Sequence, residues 1–379
     1  MKKGREIKQV ILFANTLWFL RNFKQNLLSE LSKNYKVKCY YLRIGFLDND
    51  SVINLEKKYP IEFIRFNFFY FFKELFCSLL CLINLYNIKI LRHRIIVFTI
   101  SPTIISSIIF FSNSFSIIYV LEGLGRLFSS RRVVARILRR LLEIIYRIIF
   151  SYAQNIVVLN PTDAVYLSER QIAPMRKIYI LPGTGLNTNK YSIDQFEQNK
   201  NEKYIDFIGR IIPDKGFYEF IYSREVLIRQ YPDIAKKYTY RVIAPKSQLE
   251  NLNSRDISFF KDKGIIFCPY LDNTYKYYIN THILVHPTKY AEGLSMVILE
   301  ASYLGIKVLT TKNRGTEQIL DPNYKYFLNN TSCVHIADYI SKISLDDDYF
   351  NNIKSQQSKR VMQLFNVETS TKSFMNLIM

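Results

Sequence analysis

The chain has 379 residues, of which 49% are hydrophobic, 15% aromatic and 22% charged. That length exceeds what one hydrophobic core fills, so two domains of about 150 to 200 residues are expected, and the composition excludes a disordered or fibrous chain. Net charge is +20 and unevenly placed: residues 1–190 hold 28 Lys+Arg against 11 Asp+Glu, the remainder 24 against 21. A surplus of +17 in one half directs that half toward a polyanion, either nucleic acid or an acidic membrane surface. The five cysteines, Cys39, Cys77, Cys81, Cys268 and Cys333, are scattered and odd in number, which argues against a disulfide framework and for a reducing compartment. Cys77 and Cys81 share a helical face, but no His or Cys stands near them to complete a metal site.

In chain order, MKKGREIKQVILFANTLWFL opens like an export signal, yet Asn15 interrupts it, Arg21 and Lys24 follow, and no small-residue cleavage site appears. It reads instead as a strand over residues 10–14, a turn at Asn15-Thr16, and a helix with apolar residues at Trp18, Leu20, Phe23, Leu27, Leu28 and Leu31. Strand-like runs follow at VKCYYL, IEFIRF, IIVFTI, SIIYVL and NIVVLN, and continuous apolar strands alternating with helices indicate parallel sheet. The uncharged run 95–121 has the length of a bilayer span but carries Pro102 and many Ser and Asn residues; a buried strand, helix and strand account for it equally well. From Arg126 to Phe150 the chain is Arg-rich between apolar Val134, Ile137, Leu138, Leu141, Ile145 and Ile148. Such a helix either lies on an anionic bilayer or packs its apolar face on the sheet.

The polar stretch 187–203 lacks apolar periodicity and reads as a linker. Beyond it a second α/β series begins, with strands at YIDFIG, YRVIAP, GIIFC, ILVHP and KVLTT and a helix over residues 295–304. The histidines, His93, His282, His286 and His335, show no metal-ligand spacing, and the acidic run at 346–348 reads as a helix N-terminus.

Two motifs of the second series carry chemistry. In YIDFIGRIIPDKGFYEF, Arg210 and Lys215 follow a strand end and precede a helix, which is where open α/β sheets bind ligands; an Arg fork and a Lys point charge suit a diphosphate. In HPTKYAEGLSMVILEASYLG, Glu292 and Glu300 stand eight residues apart, and Gly293, Leu294 and Ser295 lead into the helix. If the helix starts near Ser295, its unpaired N–H groups give a phosphate site, with one carboxylate beside it that can grip sugar hydroxyls and another that can hold ribose, whereas each Glu taken singly reads as an ordinary surface residue.

Together, G-R-x4-K-G and E-G-x6-E resemble the donor-binding half of glycosyltransferase family 4, whose members are retaining enzymes of GT-B fold; the likeness runs from Tyr204 to Gly315 and includes NRGTEQIL. The resemblance implies an α/β fold of two Rossmann-like parallel-sheet domains facing a cleft. It also implies that Arg210 and Lys215 neutralise a nucleotide diphosphate, Glu292 contacts the transferred sugar and Glu300 binds the ribose. ANTLWFLRNFKQNLL, EGLGRLFSS, LNPTDAVYL and LPGTGLNTNKYS resemble bacterial transferases acting on undecaprenyl-diphosphate-linked sugars, in which Gly123, Gly125, Gly183 and Gly185 correspond to glycine loops at the cleft. Such relatives usually carry a His where this chain reads IVFTISPTI, and His93 precedes that strand. Retaining transfer can then use the leaving diphosphate to deprotonate the acceptor.

The resulting expectation is an acceptor-binding, membrane-facing domain over residues 1–190, a donor-binding domain over 191–365 and a C-terminal helix over 366–379 that crosses back. The expected activity is metal-independent transfer of a hexose or N-acetylhexosamine from a UDP-sugar, with no cofactor beyond that co-substrate, to a polyprenyl-diphosphate-linked saccharide for O-antigen or capsule. The protein would sit in the cytoplasm on the inner face of the plasma membrane, with Arg131, Arg132, Arg139 and Arg140 on anionic lipid and no nucleic acid bound. A hydrolysing epimerase or soluble-acceptor transferase of the same fold, and a polyanion-binding protein, are the competing readings.

Overall fold

The computed structural model describes residues 9–43, 58–65, 93–99, 103, 116–130, 132–191, 196, 198, 202–270 and 274–378. Cys77, Cys81, Arg131 and most of the apolar run 95–121 lie outside them. The chain forms two compact units, Met1–Gly185 with Val367–Met379, and Leu186–Asn366.

The first unit is built on a seven-stranded sheet of order β3-β2-β1-β4-β5-β6-β7. Its strands are β1 (Gln9–Thr16), β2 (Lys36–Arg43), β3 (Ile61–Arg65), β4 (His93–Phe98), β5 (Ser116–Leu121), β6 (Asn155–Val158) and β7 (Ile178–Ile180). All pairings are parallel. The central strands read as unbroken apolar runs because both faces are covered: Val10, Leu12 and Ala14 of β1 join a cluster with Leu27, Leu28 and Leu31, while Phe13 joins another with Tyr146 and Phe150. Thr16 ends β1 and caps α1 (Leu17–Phe23) by accepting the Phe19 N–H at 3.1 Å. The helix then stops at Lys24, and α2 (Gln25–Asn34) starts afresh, where the periodicity predicted one continuous helix.

Farther along, α3 (Val133–Ser151) buries Ala135, Leu142, Tyr146, Ile149 and Phe150 on the sheet. The apolar set singled out in the sequence is not the packing face: Val134, Ile137, Leu138, Leu141, Ile145 and Ile148 all point outward. Among the described residues no helix is long and apolar enough to cross a membrane.

The second unit carries a six-stranded sheet of order β10-β9-β8-β11-β12-β13, again with every pairing parallel. Its strands are β8 (Tyr204–Ile208), β9 (Thr239–Ala244), β10 (Ile265–Pro269), β11 (Thr281–His286), β12 (Lys307–Thr311) and β13 (Phe327–Leu328). Helices α4 (Phe217–Gln230) and α5 (Met296–Leu304) follow β8 and β11. Tyr191 and Phe196, from the polar stretch, belong to this unit's core. The chain enters the unit at Leu186, whose N–H donates to Phe365 O at 2.6 Å and which pairs with Asn366. It then returns to the first unit as α6 (Val367–Ile378), where Phe374 stacks on Phe98 at 6.2 Å and Arg94 Nε donates to Ile378 O at 2.8 Å.

One buried ion pair joins neighbouring strands of the second sheet. Asp206 of β8 receives Arg241 of β9 through two parallel bonds of 2.9 and 2.6 Å, and Thr281 donates to the same carboxylate at 2.5 Å. Burial pushes the Asp206 carboxyl up while Arg241 and Thr281 oppose it. Removing one member strands the other in a dry interior, so Asp206→Ala should cost about 3 to 5 kcal/mol in chemical denaturation, and Asp206→Leu with Arg241→Met far less. Equal losses for both variants would show that the charges do not oppose burial in this way.

Candidate active site

In the second sheet the strand order reverses between β8 and β11, which leaves a crevice at their carboxyl ends. Strand β8 delivers Gly209 and an exposed Arg210, and a 3-10 turn, Pro213–Lys215, brings Lys215 back toward the sheet. Gly216 then enters α4 at φ 75°, and a β-carbon there would stand 2.4 Å from the Pro287 carbonyl oxygen. Only glycine fits that conformation and that spacing. The Lys289 N–H donates to Asp214 O at 2.7 Å, and Lys289 Nζ meets Glu219 at 2.5 Å. The two motifs, distant in sequence, therefore form one rigid corner, with the Tyr290 ring 5.5 Å from the Arg210 guanidinium and 5.6 Å from Lys215 Nζ.

At its centre lies Glu292, only 8% exposed. Its Oε1 accepts from Lys215 Nζ at 2.5 Å and faces His286 Nε2 at 3.0 Å, while Ser295 Oγ lies 3.5 Å from the same nitrogen. Burial alone pushes this carboxyl up, but Lys215 and His286 outweigh it and hold it well below the usual carboxylate range. Behind it, a β-carbon on Gly315 would come within 2.6 Å of the Glu292 carbonyl oxygen. Gly315 N–H is fixed by Asn313 Oδ1 at 3.1 Å, and Gln318 Nε2 donates to Gly293 O at 3.2 Å. The NRGTEQ turn is thus the wall against which the Glu292 loop rests.

Ser295 holds the N-cap position of α5 but makes no side-chain cap bond. Leu294, just before the helix, packs on the unit's core. Glu300, on the same helix, has a different setting: Tyr278 OH donates to it at 2.7 Å and Thr274 Oγ1 lies at 3.4 Å. Burial pushes its carboxyl up and the hydroxyls of Tyr278 and Tyr191 pull against that.

In the first unit, all four glycines of the two loops adopt positive φ: Gly123 131°, Gly125 78°, Gly183 60° and Gly185 74°. The side chain of Lys24, 5% exposed, joins the loops, with Nζ 2.7 Å from Glu122 Oε1 and 3.4 Å from Thr184 Oγ1, and Phe98 beneath it at 5.1 Å. Lys24 is also the residue at which α1 ends and α2 begins. Thr99, which follows β4 in the segment IVFTISPTI, takes φ 70°, a strained conformation for a β-branched residue. Arg139 is half-buried and holds its own loop, donating to Leu127 O at 2.9 Å and Ser130 O at 2.6 Å, whereas Arg132 and Arg140 are exposed.

Lys24, Glu122, Thr184, Tyr290 and His286 did not stand out in the sequence. The available signal for Lys24 was weak, a charge between the apolar residues Phe23 and Leu27 that shares the stretch with Arg21 and Glu30. For His286 it was position, the last residue of a strand next to the sheet's reversal.

Residues 190–360 match the protein-family model described as glycosyl transferases group 1. Over 235 residues the chain is 26% identical to the capsular polysaccharide biosynthesis glycosyltransferase CapM of Staphylococcus aureus, covering 56% of this chain and 60% of that protein. Over 207 residues it is 23% identical to N,N'-diacetylbacillosaminyl-diphospho-undecaprenol alpha-1,3-N-acetylgalactosaminyltransferase of Campylobacter jejuni, covering 52% of each. The chain therefore spans only about half the length of the curated relatives it matches. Its fold is shared with Anabaena HepE solved in complex with UDP, at TM-score 0.72 and 14% identity over 98% of this chain and 99% of that one. Sucrose-phosphate synthase from Thermosynechococcus elongatus gives 0.70 and 14% over 98% of each chain. The architecture is GT-B, two Rossmann-like parallel-sheet α/β domains.

Two consequences of this geometry are testable. Gly315→Ala should push Glu292 out of place and lower transferase kcat/KM by about 100-fold; a wild-type rate would remove the wall described above. Because the folded-state pKa of Glu292 lies below its unfolded value, the stability it contributes is complete above about pH 4.3 and is lost as pH falls through the folded value. The melting temperatures of the wild type and Glu292→Gln should therefore stay a constant distance apart from neutral pH to about pH 5 and converge only in stronger acid. A gap that closes above that range would show that the carboxylate is not held ionised.

Proposed function

We propose that the protein is a retaining glycosyltransferase of family 4 type that moves a hexose or N-acetylhexosamine from a UDP-sugar to a polyprenyl-diphosphate-linked saccharide at an anionic membrane surface, in capsule or O-antigen assembly. The observation that carries it is the corner in which Arg210, Lys215, the α5 N-terminus and Glu292 converge. A nucleotide diphosphate needs concentrated positive charge, and a sugar needs a fixed, ionised carboxylate beside it. Both are present at this one corner of the second sheet.

In the proposed reaction the bond from the anomeric carbon to the diphosphate oxygen breaks and charge gathers on the departing phosphate. Arg210, Lys215 and the α5 N–H groups neutralise that charge in a site already organised for it. The acceptor hydroxyl bonds to the same face of the anomeric carbon and gives its proton to the departing diphosphate. Glu292 holds hydroxyls of the sugar in flight, and Glu300, among hydroxyls at Tyr278 and Thr274, holds the ribose. The positive groups supply the charge a divalent ion would otherwise bring. Gly123, Gly125, Gly183 and Gly185, stitched by Lys24, form the acceptor side.

The test is thermal shift and turnover of the purified protein with UDP-, GDP- and dTDP-sugars, with and without EDTA. Stabilisation by a UDP-sugar that survives EDTA is expected; no response to any nucleotide sugar removes the proposal. Arg210→Ala should lower donor affinity and rate together, by about two to three orders of magnitude in kcat. Glu292→Ala should abolish turnover in a folded protein, and near-wild-type rates in either would remove the site assignment. Proton NMR of the product should give the donor's anomeric configuration.

A further inference from the structure

Helix α3 leaves eight large apolar side chains exposed on one side, from Val133 at 62% and Val134 at 67% to Ile148 at 51%, with Ile145 least exposed at 40%. Stepped around the helix they cover a continuous arc of roughly 140°. Scattered apolar residues on a surface are ordinary, but a contiguous stripe about four turns long calls for a cover. The helix cannot roll to bury it, because its opposite side is already committed: Tyr146 and Phe150 are stacked at 5.0 Å and both are buried in the first unit's core.

What borders the stripe identifies the cover. Arg136 and Arg140 run along one edge, both exposed, and exposed Arg132 stands at the helix start. The one acidic residue of the helix, Glu143, is turned aside to accept from Tyr166 OH. A second copy of the chain, meeting stripe to stripe, would set two arginine edges of strongly basic units against each other. An acidic peptide would satisfy the arginines but not the width of the apolar arc. Lipid with anionic headgroups satisfies both, since acyl chains take the stripe and phosphates take the arginines.

We infer that α3 is an interfacial anchor that lies in the plane of an anionic monolayer, with Ile137, Leu141, Ile144 and Ile148 sunk among acyl chains and Arg132, Arg136 and Arg140 at the level of the phosphates. The inference deepens the proposed use of a lipid-linked acceptor and takes its biological sense from that reading, while its physical basis is the helix itself. Insertion, unlike charge attraction alone, leaves binding that salt does not screen.

The experiment is vesicle flotation of the whole chain with phosphatidylcholine vesicles, with and without phosphatidylglycerol, at low and high salt. The wild type should float with the anionic vesicles and keep part of its binding at high salt. Leu141→Ser with Ile144→Ser should lower the partition coefficient by about tenfold or more and lose the salt-resistant part, with melting temperature and UDP stabilisation unchanged because both positions are solvent-exposed. Arg136→Gln with Arg140→Gln should weaken binding mainly at low salt. The anchor is overturned if the wild type stays with the unbound fraction, if the serine variant floats like the wild type, or if the wild type sediments as a dimer that the serine variant splits. Flotation with no glycosyl transfer to any acceptor would remove the proposed function and leave the anchor standing; transfer without stripe-dependent flotation would do the reverse.

Discussion

One contact organises the second unit: the Glu292 carboxylate on the Lys215 ammonium, 2.5 Å apart and joining positions 77 residues distant. Because the pair is nearly dry, the attraction between its members is stronger than on a surface, and each fixes the other's rotamer. The surrounding features serve this contact. Gly216 lets the Lys215 turn press on Pro287, Gly315 lets the Glu292 loop rest on the following turn, and His286 presents a second donor to the same oxygen. A site preorganised this way has met the cost of bringing like-charged Arg210 and Lys215 close together before any anion arrives.

Much of this was legible in the sequence, for physical reasons that differ from part to part. The central strands are covered on both faces, so runs such as IIVF and VVL survive as unbroken apolar words and mark parallel sheet. The motifs at 209–216 and 292–300 are local, each a strand end followed by a helix start, and local geometry is what spacing records. Strands β7 and β13, of three and two residues, are too short to leave a pattern. The side of α3 that packs on the sheet was not legible either, because the outward stripe is as apolar as the buried one and the helix offers two faces of equal appeal. Nor was the role of Lys24: its partners, Glu122 and Thr184, lie almost a hundred and more than a hundred residues away, and no window along the chain spans that.

The two units divide the electrostatic labour. In the second, positive charge is gathered at one point and answered by buried carboxylates, Glu292 at the corner and Asp206 in the sheet. In the first it is spread along the chain, from the N-terminal strands to the α3 arginines, and among the described residues Lys24 is a cation withdrawn from water, held between the two glycine loops. A diffuse field suits an extended surface and a focused one a small anion, which is the contrast that the +17 of residues 1–190 and the +3 of the remainder set up.

Leu186 and Asn366, where the chain enters and leaves the second unit, lie side by side as a parallel bridge. Topologically the second unit is thus an insertion into the first, whose last helix, α6, is supplied only after the excursion is over. Synthesis must therefore finish the whole second unit before Phe374 and Ile378 can close the core of the first. The first unit is the last to mature although it is the first to be made, and a chain cut short after residue 366 would carry an intact second fold beside an unsealed first one.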